Sequence, residues 1–128
     1  MDTIGDMLTI IRNGYMTKKE IVIVSHSKLK EEVAKKLYKL GCVESVDLEK
    51  GDKKKSLKIK LKYEKGEPAI VHVRRVSTPG LRVYRPKSGI KPVLSGMGFS
   101  LVSTSKGIMT DRESLKAGVG GEIICEVW

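Results

Sequence analysis

Between Leu57 and Tyr63 the chain alternates without a break, with Leu57, Ile59, Leu61 and Tyr63 set against Lys58, Lys60 and Lys62. Successive side chains of a strand point to opposite faces, so this pattern is that of a half-buried strand. Upstream, Lys50-Gly51-Asp52-Lys53 is a turn signal and Cys42 to Leu48 reads as a strand, which makes the pair a hairpin. The outward lysines suit contact with phosphate, but lysine also keeps an edge strand soluble and unpaired, and that plainer reading is preferred.

Two helical patterns precede the hairpin. Ile4, Met7, Leu8, Ile11 and Tyr15 recur at helical spacing behind Asp2 or Thr3 as N-cap, with Gly14 placed to end the helix. Ile21 to Val24 is a β-branched run suited to a buried strand. Ser27 then opens a second helix of Leu29, Val33, Leu37 and Leu40, which Gly41 stops. The polar segment Glu64-Lys65-Gly66-Glu67-Pro68 breaks both periodicities and is expected as a linker. It separates an αβαββ half, residues 1–66, from residues 67–128.

In the second half, Ile70 to Ser77 and Leu81 to Tyr84 are strand-like and flank the turn signal Thr78-Pro79-Gly80, which predicts another hairpin. After Pro92, Val93 and Leu94 read as a brief helical turn ended by Gly96 or Gly98, and Phe99 to Val102 as a short strand. Thr110 and Glu113 match a capping box, so a helix starts at Thr110 and ends near Gly118. Glu122 to Trp128 closes the chain as a strand with Ile123, Cys125 and Val127 on one face. The expected fold class is α+β: two small subdomains, the first αβαββ and the second mostly β with one or two short helices.

Charge points to the partner. Hydrophobic residues make up 40% and charged residues 31%, which suits a folded domain, yet the formal net charge is +10 and the sequence pI near 9.7. A surface this positive attracts polyanions, nucleic acid first. A membrane surface ranks low, because the most basic segments read as strands and loops and not as an amphipathic helix. With no signal-peptide pattern and no long apolar run, the chain is expected to be soluble and intracellular. Cys42 and Cys125 stand apart, without zinc-site spacing, and are expected as reduced, packed thiols. No metal, cofactor or small-molecule substrate is expected.

From Ala69 to Thr110 there is no acidic residue, while Arg74, Arg75, Arg82, Arg85, Lys87, Lys91 and Lys106 supply positive charge. The planar fork of arginine suits phosphates and base edges. Aromatic residues are too few for a single-strand stacking platform, which favours structured RNA or DNA. Ser103-Thr104-Ser105-Lys106-Gly107, between an apolar strand and the capped helix, offers hydroxyls and an ammonium for sugar and phosphate; the plainer alternative is a serine-rich turn. Composition alone does not choose RNA over DNA.

Two rival readings compete with recognition of structured nucleic acid. Ser103 and Lys106 satisfy the Ser-x-x-Lys pattern of acyl-serine enzymes, but the companion Ser-Asp-Asn and Lys-Thr-Gly motifs are missing. Gly118-Val119-Gly120-Gly121 completes no nucleotide-binding loop and reads as a tight helix-to-strand turn, and His26 and His72 lie in unrelated contexts. The other rival is a basic protein that coats nucleic acid without selectivity.

The stretch Ser103 to Glu113, with Gly118-Val119-Gly120-Gly121-Glu122 and Cys125-Glu126-Val127-Trp128, closely resembles the family of the eighth small-subunit ribosomal protein of bacteria. The resemblance extends to Asp6-Met7-Leu8-Thr9-Ile10-Ile11-Arg12-Asn13-Gly14, to Ser27-Lys28-Leu29-Lys30 and to Pro79-Gly80-Leu81-Arg82-Val83-Tyr84, essentially the whole chain. It departs at Arg85-Pro86-Lys87-Ser88 and at Ser114-Leu115. The resemblance implies two α/β subdomains packed together in a cytoplasmic protein of the small ribosomal subunit. It implies direct, early binding to the central domain of small-subunit ribosomal RNA, beside neighbouring ribosomal proteins. By family pattern, Thr104, Ser105 and Lys106 meet the RNA minor groove, Ser103 and Gly107 shape the loop, and Tyr84, Arg82 and Glu122 lie nearby. Arg12, Asn13 and Lys30 make secondary contacts. Some members also repress their own operon by binding its messenger RNA.

Overall fold

The computed structural model describes residues 3–90 and 98–128. The expected cap at Asp2, the helical turn at Val93 and Leu94, its stop at Gly96, and Lys91 lie outside the described residues. The chain divides into two compact units, Thr3–Val71 and a second comprising His72–Trp128. The architecture is α+β, and among the described residues no helix is long and apolar enough to cross a membrane.

The first unit runs α1 (Thr3–Met16), β1 (Ile21–Ser25), α2 (Lys28–Lys39), β2 (Val43–Lys50) and β3 (Lys55–Leu61), the expected αβαββ order. Its sheet has the order β1-β3-β2, all antiparallel. The alternation that marked β3 holds: Leu57, Ile59 and Leu61 are buried with Val22 and Val24 under the helical residues Met7, Ile11, Val33 and Leu37. Each such side chain removed from water contributes roughly 1.5–3 kcal/mol.

Several local expectations change. β3 is the central strand, so its lysines guard no edge; they stand on the open face, where Lys58 pairs across with Asp47 and lies 3.9 Å from Glu49. Strand β1 is not buried on both sides, because Ile21 and Ile23 are exposed. Gly14 does not end α1 but lies inside it, with β1 and β3 against its bare Cα. Ser27 caps α2 as expected, accepting the Lys30 N–H at 3.1 Å. The buried stripe of α2 is Lys30, Val33, Ala34 and Leu37, while Leu29 and Leu40 face outward. The polar segment after β3 folds back on itself as β4 (Tyr63–Glu64) and β5 (Glu67–Pro68), with Lys65 and Gly66 at positive φ in the turn.

The second unit contains β6 (Val73–Arg75), β7 (Tyr84–Arg85), a 3-10 turn (Lys87–Gly89), β8 (Phe99–Thr104), β9 (Gly107–Thr110), α3 (Asp111–Ala117) and β10 (Gly121–Val127). The turn at Thr78-Pro79-Gly80 forms, closed by paired Thr78 and Leu81. The strands on either side of it do not pair with each other, however: β6 and β7 both pair with β10 and lie along its one side. Residues 76–83 are therefore an excursion from an interrupted edge strand.

Strand β10 carries a bulge between Ile123 and Cys125. Ile123 pairs with Val102 and Cys125 with Leu101, so the two face opposite sides and not the one face that alternation predicts. Ile123 packs with Val102, Ile90, Val76 and Val83. The capping box of α3 is complete, and Gly118 ends that helix in the left-handed conformation.

Candidate nucleic-acid interface

Ser103 to Gly107, expected as a loop between strand and helix, is the tip of a hairpin between β8 and β9. Four residues with only Ile108 and Met109 apolar gave β9 no readable period. Thr104 pairs with Gly107, leaving Ser105 and Lys106 as the turn. The positive φ of the turn falls on Gly107, at +106°, where a side chain would be strained. Thr104 Oγ1 donates to the Gly107 carbonyl at 2.8 Å and accepts the Lys106 N–H at 3.1 Å, so this hydroxyl is engaged in shaping the turn. The Ser105 hydroxyl and the Lys106 ammonium are exposed and hold no hydrogen bond among the described residues.

Behind the tip, Ser103 pairs with Glu122 on β10, and Glu122 with Tyr84 on β7. Residues directly opposite in a sheet share a face, so Tyr84, Glu122 and Ser103 form one row running to the hairpin. Tyr84 is 65% exposed. Glu122 Oε2 accepts the Ser77 hydroxyl at 2.5 Å and the Arg82 guanidinium at 3.2 Å. Ser77 is fully buried, and its oxygen also accepts the Val83 N–H at 3.1 Å. One serine and one glutamate thus fasten the excursion and aim Arg82.

Two glycines set the spacing of this row. A Cβ on Gly121 would lie 2.1 Å from the Ser103 carbonyl oxygen, and one on Gly120 would lie 2.3 Å from that of Arg85. They do more than turn the chain from α3 into β10. They let β10 enter between the backbone of the hairpin and that of β7.

The stretch without acids in sequence is not without acids in space. Strand β10 brings Glu122 to Arg82 and Glu126 to Arg74, and Arg75 donates to the Ile124 carbonyl at 2.7 Å. Arg85, Lys87 and Lys106 remain exposed with no acidic partner among the described residues. Unpaired cations on an exposed rim hold the charge that a polyanion can reach.

The family profile described as Ribosomal protein S8 matches residues 2–128. Proteins named small ribosomal subunit protein uS8 from Acinetobacter baylyi and Hydrogenovibrio crunogenus are each 48% identical over 126 residues, covering 98% of this chain and 96% of the relative. The protein of the same name from Baumannia cicadellinicola is 48% identical over 127 residues, with the same coverage.

The chain belongs to the ribosomal protein S8 family. As a member it is a structural constituent of the small ribosomal subunit and not an enzyme. The Ser-x-x-Lys match falls on this S8 hairpin, where Lys106 extends into solvent and makes no bond to Ser103.

Of the residues singled out in sequence, the S8 fold gathers Ser103, Thr104, Ser105, Lys106, Gly107, Tyr84 and Glu122 on one sheet, with Arg82 tied to it through Glu122. Arg12 and Asn13 belong to the first unit, side by side on the exposed part of α1. Lys30 differs from them: it is 6% exposed, and its ammonium donates to the Ser25 carbonyl at 3.0 Å and hydroxyl at 2.8 Å. Sequence reasoning missed Ser77, whose only signal was a polar residue next to a turn, and the role of Gly120 and Gly121. It also missed the pairing of His26 with Glu31 at 2.8 Å, which holds Glu31 below the usual carboxylate range mainly with Lys35 and then His26.

Proposed function

We propose that this chain binds directly to the central domain of small-subunit ribosomal RNA through the β8–β9 tip and thereby helps the subunit assemble. The observation that carries the reading is the pair Ser105 and Lys106, exposed and unengaged on a turn that Thr104 and Gly107 hold rigid. Lys106 supplies attraction to phosphate, which by itself carries no sequence information. Ser105 supplies a hydroxyl that donates and accepts, as does the ribose 2′-OH displayed in the shallow minor groove of A-form RNA. Ser103, Tyr84, Arg82 and Glu122 flank the same contact.

Arg12 and Asn13 are secondary contacts from the first unit, and Lys30 supports that unit by tying α2 to the end of β1. Neighbouring ribosomal proteins are the other partners. A messenger RNA that presents the same groove would be held by the same tip, and the protein would then repress its own operon.

Salt titration of RNA binding tests the assignment. Lys106→Ala should make log K less steep in log salt by roughly one unit, and Ser105→Ala should cut discrimination against a mismatched RNA by about 1–3 kcal/mol. An unchanged slope, or equal losses on both RNAs, refutes the respective role. Displacement of the ribosomal RNA by bulk duplex DNA at comparable concentration would instead mark an unselective coat protein.

A further inference from the structure

The second sheet has a cavity of about 390 Å³ on the face turned away from the Tyr84–Glu122–Ser103 row. Its apolar part is formed by Val83, Ile90 and Ile123. Ser100 lines it too: the residue is 3% exposed, its N–H goes to Asp111 at 3.2 Å, and its hydroxyl makes no hydrogen bond among the described residues. Although the residue is buried, this hydroxyl is open to the cavity, where a ligand atom can bond it. Glu126 borders the same space; one carboxylate oxygen holds Arg74, and the other has no bond among the described residues. At the rim stands Arg85, exposed and without an acidic partner among the described residues.

We propose that this cavity is a nucleotide subsite, taking one unstacked RNA base that bears an exocyclic amino group, with its phosphate on Arg85. The inference rests on the RNA-binding reading above. The flat faces of a base match the apolar lining, and its polar edge matches Ser100 and the free oxygen of Glu126, which can only accept. Bases splayed out of irregular RNA are read in this way, on their edges. Strand β7 explains the access. It lies at the sheet edge, and its neighbouring residues Tyr84 and Arg85 point to opposite faces. An RNA backbone crossing that edge meets the row on one side and the cavity on the other.

The test is NMR titration of the full chain with 5′-AMP, 5′-UMP and inorganic phosphate at millimolar concentration. AMP should shift the amides of Val83, Ser100 and Ile123, and UMP, which lacks the amino group, should bind several-fold more weakly. Ser100→Ala and Arg85→Ala, which remove no bond that holds the fold, should each weaken AMP by about tenfold. Shifts with phosphate equal to those with AMP, equal binding of UMP, or no shifts at all overturn the subsite. Lys106→Ala should leave AMP binding unchanged, so loss of the subsite while the Lys106 salt dependence stands would sink this inference alone.

Discussion

Each of the two units holds a glycine with no room for a Cβ, and the reasons differ. At Gly14 the missing Cβ would lie 2.7 Å from Val22 Cγ1 and 2.9 Å from Leu61 Cδ1, both side-chain methyls that can turn aside. At Gly121 it would lie 2.1 Å from the Ser103 carbonyl oxygen, which is backbone fixed in a ladder. The first unit is built by side chains packing on an alternating sheet. In the second unit, backbone is brought against backbone to hold a hairpin tip and an exposed row in place. The contrast separates what keeps the protein folded from what prepares it for a partner.

The largest effect should come from breaking the contrast at its sharpest point. Gly121→Ala must pull β10 away from β8 and is expected to destabilise the second unit by about 4 kcal/mol or more, in the range reserved for strained backbone and lost core contacts. RNA binding should vanish with it, while the amide spectrum of the first unit persists. Gly14→Ala gains about 1 kcal/mol of helix propensity against about 1–3 kcal/mol of overpacking, for a net loss of about 0–2 kcal/mol, well below that of Gly121→Ala. Thermal melts of both variants compare them directly, and equal losses would show that the two glycines play the same part.

A smaller effect sharpens the first-unit side. Tyr15 is buried; its hydroxyl donates to the Cys42 carbonyl at 2.5 Å and accepts the Lys62 N–H at 3.1 Å. Tyr15→Phe leaves both backbone groups unpaired and should cost about 1–3 kcal/mol. Burial pushes the Tyr15 phenol up from 10.0 to about 12, against the lowering effect of the Lys62 N–H. The fold favours the protonated form, so this contribution is whole below pH 10 and declines as pH rises from 10 to 12. Burial likewise lifts the Cys42 thiol from 9.0 to about 11, which adds a decline from pH 9. Denaturant unfolding against pH should show the upper part of that limb missing in Tyr15→Phe and the Cys42 part retained. A variant limb that matches the wild type would remove Tyr15 from the account.

How much of this was legible in the sequence depended on whether a feature repeats. Leu57, Ile59 and Leu61, the Ser27 cap and the capping box of Thr110 and Glu113 are local patterns with a fixed period or spacing, and each forms as read. Strand β9 is too short to have a period, and the bulge at Ile124 reverses the face of the residues that follow it, which no alternation can announce. The site residues were found through charge and resemblance, but their arrangement depends on partners far along the chain. Ser77 meets Glu122, and Gly121 meets Ser103, only because β10 returns between β7 and β8. For the same reason the acid-free stretch overstated the free charge, since its neutralising glutamates come from outside it.

The smallest change should speak most directly to that last point. Glu122→Gln keeps an oxygen to accept the Ser77 hydroxyl and removes the charge that pairs with Arg82. Arg82 is half exposed, so the lost ion pair should alter stability by no more than about 1 kcal/mol. Its guanidinium, released from the carboxylate, becomes available to a phosphate, and the acid no longer repels the RNA backbone from the row. The salt dependence of RNA binding should therefore become steeper by roughly one unit, opposite in direction to Lys106→Ala. Because the two variants move the slope in opposite senses without unfolding the sheet, measuring both separates charge held in reserve by Glu122 from charge already offered at the tip. A slope for Glu122→Gln equal to that of the wild type would mean that Arg82 never reaches phosphate and that the glutamate serves only to fasten the excursion through Ser77.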